Sequence, residues 1–185
     1  MRFQQHVHQI FDEIQSVLRG IDRATVDRVV EQLMRAERVY VAGGGRSGLM
    51  ARCFAMRLMH LGLHTYVVGE TTTPAIRPND CLVVCSASGQ TQVVVLVSRA
   101  AKKVGAQVIA VTADPDSPIA KTADIVLVLD APHKKAPDVG LPSVQYAGTL
   151  FEQSLLILSD AIAFEIGTQL GRSEEDMQQR HANLE

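Results

Sequence analysis

Apolar residues recur along this chain with two different periods. From Phe3 to Leu18, and again from Val26 to Leu33, they return every three or four positions, which is the spacing of one face of a helix, and Gly20 separates the two segments. Short and continuously apolar runs follow, and they predict strands that are buried on both faces. These runs are 39–42, 66–68, 81–85, 108–111 and 125–129.

The segments between these runs predict helices at 47–61 and 91–104, a loop at 69–79 and a short helix from Ser117. Strands that alternate with helices predict an α/β fold whose mainly parallel sheet carries helices on both faces. The proline-containing stretch 130–148 is long for a structureless loop, so it is either functional or disordered. A long amphipathic helix is expected at 149–170, and Gly171 ends it.

The chain is interpreted as one domain, 1–185. Its parts are N-terminal helices at 1–36, a sheet core at 37–130, the long helix at 149–171 and a polar tail at 172–185. In the tail, Ser173 and the acids that follow it favour a short helix.

Charge and composition exclude several classes of protein. Eighteen basic and 20 acidic residues give a net charge of −2, so no nucleic-acid partner is expected. Cys81 and Cys85 fall on one predicted strand, where a separation of about 13 Å prevents a disulfide. Free thiols favour a reducing compartment. The N-terminus shows no signal-peptide h-region, and no apolar run reaches the roughly 20 residues of a membrane span. A cytoplasmic protein without a membrane partner is expected.

The first candidate site is the sequence GGGRSG at 43–48, between a strand and a helix. Glycines allow the backbone to approach a ligand, and the start of a helix attracts anions. The alternative interpretation, in which the loop binds no ligand, is a tight turn with Ser47 as the N-cap of the helix. The same residues also match the dinucleotide fingerprint G-x-G-x-x-G, with Glu70 placed to bind a ribose, so a dinucleotide-dependent oxidoreductase stays open at this point.

The second candidate site is SASGQT, residues 86–91, again between a strand and a helix. Its hydroxyls and amides are suited to a phosphate group, although a Ser or Thr N-cap explains part of the pattern. Two such loops on neighbouring strands favour a phosphorylated polyol as the ligand.

Thr149 and Glu152 form the pattern T-x-x-E ahead of an apolar helix. This is the signature of a capping box, but a carboxylate in a first helical turn is also suited to the role of general base.

The histidines do not form a metal site: Gly62 separates His60 from His64, His133 is expected to be exposed, and His181 is ambiguous. No metal is predicted.

Taken together, GGGRS and SASGQT resemble the signature of the sugar isomerase (SIS) domain. The segments GRSGLMARCFAMRLMHLG, VVGETTTPAI, SPIAKTADIV, GTLFEQ and RHANLE resemble one family in particular, 6-phospho-3-hexuloisomerase. The resemblance implies a three-layer sandwich with a five-stranded parallel sheet in flavodoxin-like order, assembled as a homotetramer. It also implies interconversion of D-arabino-hex-3-ulose 6-phosphate and fructose 6-phosphate in the ribulose monophosphate pathway of formaldehyde assimilation, with a phosphorylated ketohexose as substrate and no cofactor.

Residue by residue, the resemblance implies that Glu152 accepts a proton and that His181 lies near the site, in its own or a neighbouring subunit. The substrate-binding residues that it implies are Ser47, Ser86, Ala87, Ser88, Gly89, Gln90 and Thr91. The chain departs from the family pattern at Ala87 and Gln90, where Gly and Glu are expected, and at Tyr146–Ala147, where Pro-Met is expected. Another phosphosugar isomerase, or a sugar-phosphate sensor that uses the same loops, stays an alternative.

Overall fold

The computed structural model describes residues 2–136 and 140–184. A five-stranded parallel sheet has the strand order β2-β1-β3-β4-β5. The strands are β1 (Val39–Gly43), β2 (Thr65–Val67), β3 (Cys81–Cys85), β4 (Gln107–Thr112) and β5 (Ile125–Val128). The helices are α1 (Arg2–Arg19), α2 (Arg23–Arg35), α3 (Gly45–His60), α4 (Gln92–Lys103), α5 (Pro118–Thr122), α6 (Thr149–Gln169) and α7 (Glu174–Gln178).

Helices cover both faces of the sheet, which confirms the predicted three-layer α/β sandwich. Alternate strand residues point to opposite faces, so each strand contributes to two cores. Val41 and Val83 pack with α2, α3 and α6 in the larger core. Tyr40 and Leu82 pack with α4 and α5 in the smaller one. The strands are therefore continuously apolar because both of their faces are buried.

The long helix α6 buries one wide face, from Leu150 to Gly167, against the larger core. Its outer face carries Ile157 and Phe164, both exposed. Phe3 and Phe11 on α1 are exposed as well, although their helical spacing predicts a buried stripe. The buried part of α1 is limited to Ile14 and Val17, because α1 packs on α6 rather than on the sheet.

A buried ion pair joins the amino ends of β1 and β3. Asp80 is fully buried and accepts two hydrogen bonds from the guanidinium of Arg38, at 2.8 and 3.0 Å. The backbone N–H of Arg77 donates to the same carboxylate at 2.6 Å. A buried charge is tolerated only when it is paired in this way, so this contact anchors the strand ends that lie opposite the two chemistry-bearing loops.

Cys81 and Cys85 are buried free thiols on β3, and burial raises the pKa of each to about 12. They are therefore inert structural residues.

In the described parts of the chain, every helix is too short or too polar to cross a membrane.

The strand order reverses between β1 and β3: from β1 the chain passes to β2 on one side, and β3 lies on the other. In open parallel sheets, ligands bind outside the carboxyl ends of the strands at such a switch point. The loops that follow β1 and β3 are the two candidate loops of the sequence, so the fold places them side by side.

Candidate active site

The glycines of the first loop let helix α3 start close to strand β1. A Cβ atom on Gly43 would lie 2.9 Å from the Cα of Gly48, and one on Gly48 would lie 2.6 Å from the carbonyl oxygen of Gly43. Gly45 adopts a φ of 55°. Close packing and backbone conformation thus explain three of the four glycines. The helix is N-capped by Gly44, so the interpretation of Ser47 as an N-cap is wrong: Ser47 is buried inside the first turn.

The second loop is held in shape by its own polar groups. The Ser86 and Thr91 hydroxyl oxygens lie 3.1 Å apart, and the Gly89 N–H donates to the Ser86 carbonyl at 3.0 Å. Thr91 is the N-cap residue of α4, but its side chain makes no capping hydrogen bond. The loop therefore presents hydroxyls that do not cap the helix.

Two contacts connect the second loop to its surroundings. A Cβ on Gly44 would lie 3.3 Å from the Thr91 methyl carbon, so the first and second loops touch. Gly89 has a φ of 58°, and a Cβ there would lie 2.0 Å from the Ser117 Oγ. Another residue in place of Gly89 would therefore both strain the backbone and collide with Ser117.

Glu152 lies in the first turns of α6 and forms an ion pair with Arg46 of the first loop, with Oε2 3.1 Å from Nε. The Glu152 side chain is 16% exposed, whereas that of Arg46 is 54% exposed. Burial raises the pKa of Glu152, and the positive charge of Arg46 partly offsets this rise. A carboxyl group with a raised pKa is suited to proton transfer near neutral pH.

The predicted capping box at the start of α6 is wrong. The N-cap residue is Gly148, and Thr149 lies inside the helix, where its hydroxyl donates to the Tyr146 carbonyl at 2.7 Å. Since Thr149 is the first helical residue, Glu152 is one position beyond the place that a capping box requires. The Glu152 carboxylate is consequently available to Arg46 and to a ligand.

Gly148 lies close to both the Glu152 carboxylate and the second loop. A Cβ on Gly148 would lie 3.8 Å from the Glu152 Oε1 and 3.9 Å from the Ala87 Cβ. The preceding residue, Ala147, has a φ of 53°, a left-handed conformation that costs a non-glycine residue about 1–2 kcal/mol. The backbone is thus strained where it delivers the carboxylate to the loop.

The segment 131–136 also contacts the second loop. His133 and Ala136 form an antiparallel bridge, which makes a tight turn with Lys134 and Lys135 at its tip. The Lys135 amine donates to the Gln90 side-chain oxygen at 2.9 Å. The prediction that His133 is exposed is wrong: it is buried at the base of the turn, and burial lowers its pKa.

His181 lies away from these residues within one subunit. Its ring stacks on that of the buried His60, with centroids 5.1 Å apart, at the carboxyl end of α3. Arg46 and the first loop lie at the amino end of the same 16-residue helix, which is about 24 Å long. The structure thus brings Ser47, 86–91 and Glu152 together but leaves His181 at the far end of the helix.

Glu70, the candidate ribose ligand, forms an ion pair with Arg52. The described ranges contain no group of three or more His, Cys, Asp or Glu side chains placed to hold a metal ion.

The sequence patterns predict no role for Arg46 or for Lys135. For Arg46 a signal exists, because a cation in the first turn of a helix is unfavourable to the helix dipole and indicates a local requirement other than helix stability. For Lys135 the sequence carries no comparable signal, since the contact with Gln90 joins residues 45 positions apart.

Comparisons with known proteins identify the family of this chain. The sequence model of the SIS domain family matches residues 32–153. A 3-hexulose-6-phosphate isomerase from Mycobacterium gastri is 44% identical and aligns over 94% of this chain and 87% of its own length. One from Bacillus subtilis is 34% identical over the whole length of both chains.

A crystal structure from Methanococcus jannaschii, from which the function of a 3-hexulose-6-phosphate isomerase was inferred, superposes with a TM-score of 0.85 at 32% identity. The superposition covers 98% of this chain and 99% of that one. This chain therefore belongs to the SIS domain family, and within that family to the group that includes the 3-hexulose-6-phosphate isomerases.

Proposed function

We propose that this protein is a sugar-phosphate isomerase that interconverts D-arabino-hex-3-ulose 6-phosphate and D-fructose 6-phosphate. The observation that carries the proposal is the position of the Glu152 carboxylate. It is largely buried, paired with Arg46, and close to the hydroxyl-bearing loop 86–91, since a Cβ on Gly148 would reach both the Glu152 carboxylate and Ala87 of that loop. A base beside a phosphate-binding loop at the switch point of the sheet is the arrangement that this reaction needs.

The chemistry is a proton transfer between neighbouring carbons. Glu152 removes the proton from C2 of the 3-ketose, and the electron pair forms the C2–C3 double bond of an enediolate. The proton of the C2 hydroxyl passes to the C3 oxygen, so that the C2 oxygen becomes the carbonyl and the C3 oxygen becomes a hydroxyl. Glu152 returns the proton it removed to C3. Arg46 partly offsets the cost of burying the ionised carboxylate. It also supplies a positive charge at the site, which favours the negatively charged intermediate.

The second loop and Ser47 bind the phosphate and the sugar hydroxyls in this proposal. The start of α4 offers unpaired N–H groups to an anion, and the side chains of Ser86, Ser88 and Thr91 add hydroxyl donors. The backbone of Ala87, Gly89 and Gln90 completes the binding loop. Binding energy from the remote phosphate fixes the reacting carbons beside the base.

We also propose that the protein acts as a homotetramer. Phe11 and Ile157 line one open groove between α1 and α6, and Phe3 and Phe164 are exposed apolar side chains on the same two helices. Exposed apolar groups of this kind favour an interface. In the proposed tetramer, His181 reaches the site of a neighbouring copy, since it lies far from Glu152 of its own chain.

We further propose that the protein acts in the cytoplasm, in the assimilation of formaldehyde by the ribulose monophosphate pathway.

The test is a coupled assay that forms the hexulose phosphate from formaldehyde and ribulose 5-phosphate and detects glucose 6-phosphate downstream. The protein should be required for the signal. A thermal-shift series with fructose 6-phosphate, fructose and NAD separates the alternatives. Stabilisation by fructose 6-phosphate without turnover would indicate a sensor, and stabilisation by NAD alone would indicate a dinucleotide enzyme.

A further inference from the structure

We infer that Lys135 is a phosphate-binding residue, carried to the site by the turn 133–136. This inference rests on the proposed function and names a contact within its substrate site. The Lys135 amine donates to the Gln90 side-chain oxygen at 2.9 Å. Gln90 belongs to the loop that would bind the phosphate, so the ammonium group already lies beside that loop.

The turn is built to hold this lysine in place. Residues 131–133 are buried, whereas Lys134 and Lys135 are exposed. The bridge between His133 and Ala136 closes the turn through two backbone hydrogen bonds, of 2.9 and 3.4 Å. The backbone of the turn is thus held in position, and the exposed Lys135 side chain extends from it next to the second loop.

The charges at this edge of the sheet favour Lys135 as the partner of the phosphate. Arg46 is already paired with the Glu152 carboxylate. Lys135 instead donates to the neutral amide oxygen of Gln90. A phosphate dianion is a stronger acceptor than an amide, so the amine should exchange Gln90 for the phosphate when substrate binds.

The neighbouring Lys134 provides a matched control. Both lysines lie at the tip of the same turn and carry the same charge, but the contact with the phosphate loop is made by Lys135. Lys135→Met and Lys134→Met each remove one charge and keep most of the apolar stem. Lys135→Arg restores the charge. Both positions are exposed, so all three variants should keep the melting temperature of the wild type.

The experiment measures KM and kcat for the hexulose phosphate and the inhibition constant of inorganic phosphate, at several salt concentrations. In Lys135→Met, KM and the phosphate inhibition constant should rise about tenfold, as expected for the loss of a hydrogen bond to a charged group. The value of kcat should change little, because the phosphate takes no part in the reaction. Lys134→Met should behave like the wild type, and Lys135→Arg should recover most of the affinity.

Equal effects of Lys134→Met and Lys135→Met, or no effect of either, would overturn the inference while leaving the isomerase activity in place. If the wild type binds phosphate but does not isomerise the sugar, the proposed function fails. A calorimetric titration of the wild type and the two methionine variants with inorganic phosphate needs no turnover and then still decides the role of Lys135. The two variants differ in it only if Lys135 contacts the anion.

Discussion

Glu152 combines two features that seldom occur in a surface glutamate: its side chain is mostly buried, and its ion-pair partner is more exposed than the glutamate itself. Burial raises its pKa more than Arg46 lowers it. The ionised carboxylate is therefore less stable here than in water, and it is correspondingly more basic. This environment arises because α6 starts at Gly148 and directs its first turns toward the second loop.

The hydroxyls of Ser88 and Thr91 should contribute to the affinity for the phosphate. Replacing either by alanine should weaken fructose 6-phosphate binding by roughly 1–3 kcal/mol, the usual cost of a lost hydrogen bond to a charged group. Calorimetric titration measures the effect. Ser98→Ala is the control, because this hydroxyl bonds to the Val94 carbonyl within α4 and lies outside the loop. Equal affinity for fructose and fructose 6-phosphate would rule out a phosphate site here.

The sequence predicts which residues bear chemistry better than it predicts what each one contacts. GGGRSG and SASGQT are visible as polar interruptions of an apolar pattern, and the fold does place them together. The capping box was a wrong prediction because a four-letter pattern does not define where a helix begins. Here the N-cap is Gly148, which follows Ala147 with its positive φ and lies one residue before the Thr149 that the capping box would need as its N-cap.

At the level of elements, the strands are predicted closely and the helix surfaces less so. Cys81–Cys85 matches the predicted run, and the other strands differ by one or two residues at their ends, because a doubly buried parallel strand needs a continuous apolar run. Apolar periodicity shows that α1 has an apolar face, but it does not show what covers that face. Phe3 and Phe11 are exposed in the single subunit for this reason.

The ion pair of Asp80 with Arg38 should support the sheet without taking part in catalysis. It joins the amino ends of β1 and β3, whereas the candidate site lies at their carboxyl ends. Asp80→Ala leaves the Arg38 guanidinium without its partner and should cost about 3–5 kcal/mol of unfolding free energy. Chemical denaturation measures this loss. The variant should keep its fructose 6-phosphate affinity in the fraction that is folded; a selective loss of binding would contradict a purely structural role.

At the scale of the whole molecule, the tail 172–184 docks on the end of the subunit opposite Glu152. Ser173 and Asp176 form a capping box that starts α7, and the Arg172 side chain donates to the Leu61 carbonyl at 3.1 Å. His181 stacks on His60. A contribution of His181 to catalysis therefore requires a second copy of the chain, placed so that one subunit's tail meets the other's site.

Deleting residues 180–185 should cut turnover sharply if the proposed tetramer forms, because the deletion then removes the His181 that the proposal places in the site of a neighbouring copy. The melting temperature should change little, since residues 180–184 are exposed. The contacts that the deletion removes include the stacking of His181 on His60 and a local hydrogen bond from Arg180 to the Asp176 carbonyl. Mixing the truncated protein with Glu152→Gln should restore part of the activity, because mixed assemblies combine an intact base with an intact tail. A fully active truncation would show that the tail has no role in the reaction.

The central claim is that Glu152 is the base, and the coupled isomerase assay of the wild type beside Glu152→Gln tests it most directly. Turnover should fall by about 10² or more in the variant, which is typical of a lost general base. Glutamine keeps the size of the side chain but cannot accept the proton. In the wild type, turnover should decline as the pH falls through a pKa above that of an ordinary glutamate, because the base becomes protonated.

The melting temperature of Glu152→Gln at neutral pH provides the control for folding. A raised pKa means that the folded protein holds the proton more tightly than the unfolded chain, so ionisation of Glu152 reduces stability as the pH rises. Glutamine removes this cost, and the variant should therefore melt at the same or a slightly higher temperature. A well-folded variant that binds fructose 6-phosphate and turns over less than 1% of the wild-type amount of substrate, in line with the hundredfold loss, is the predicted result. A variant that folds and retains full turnover would contradict the account.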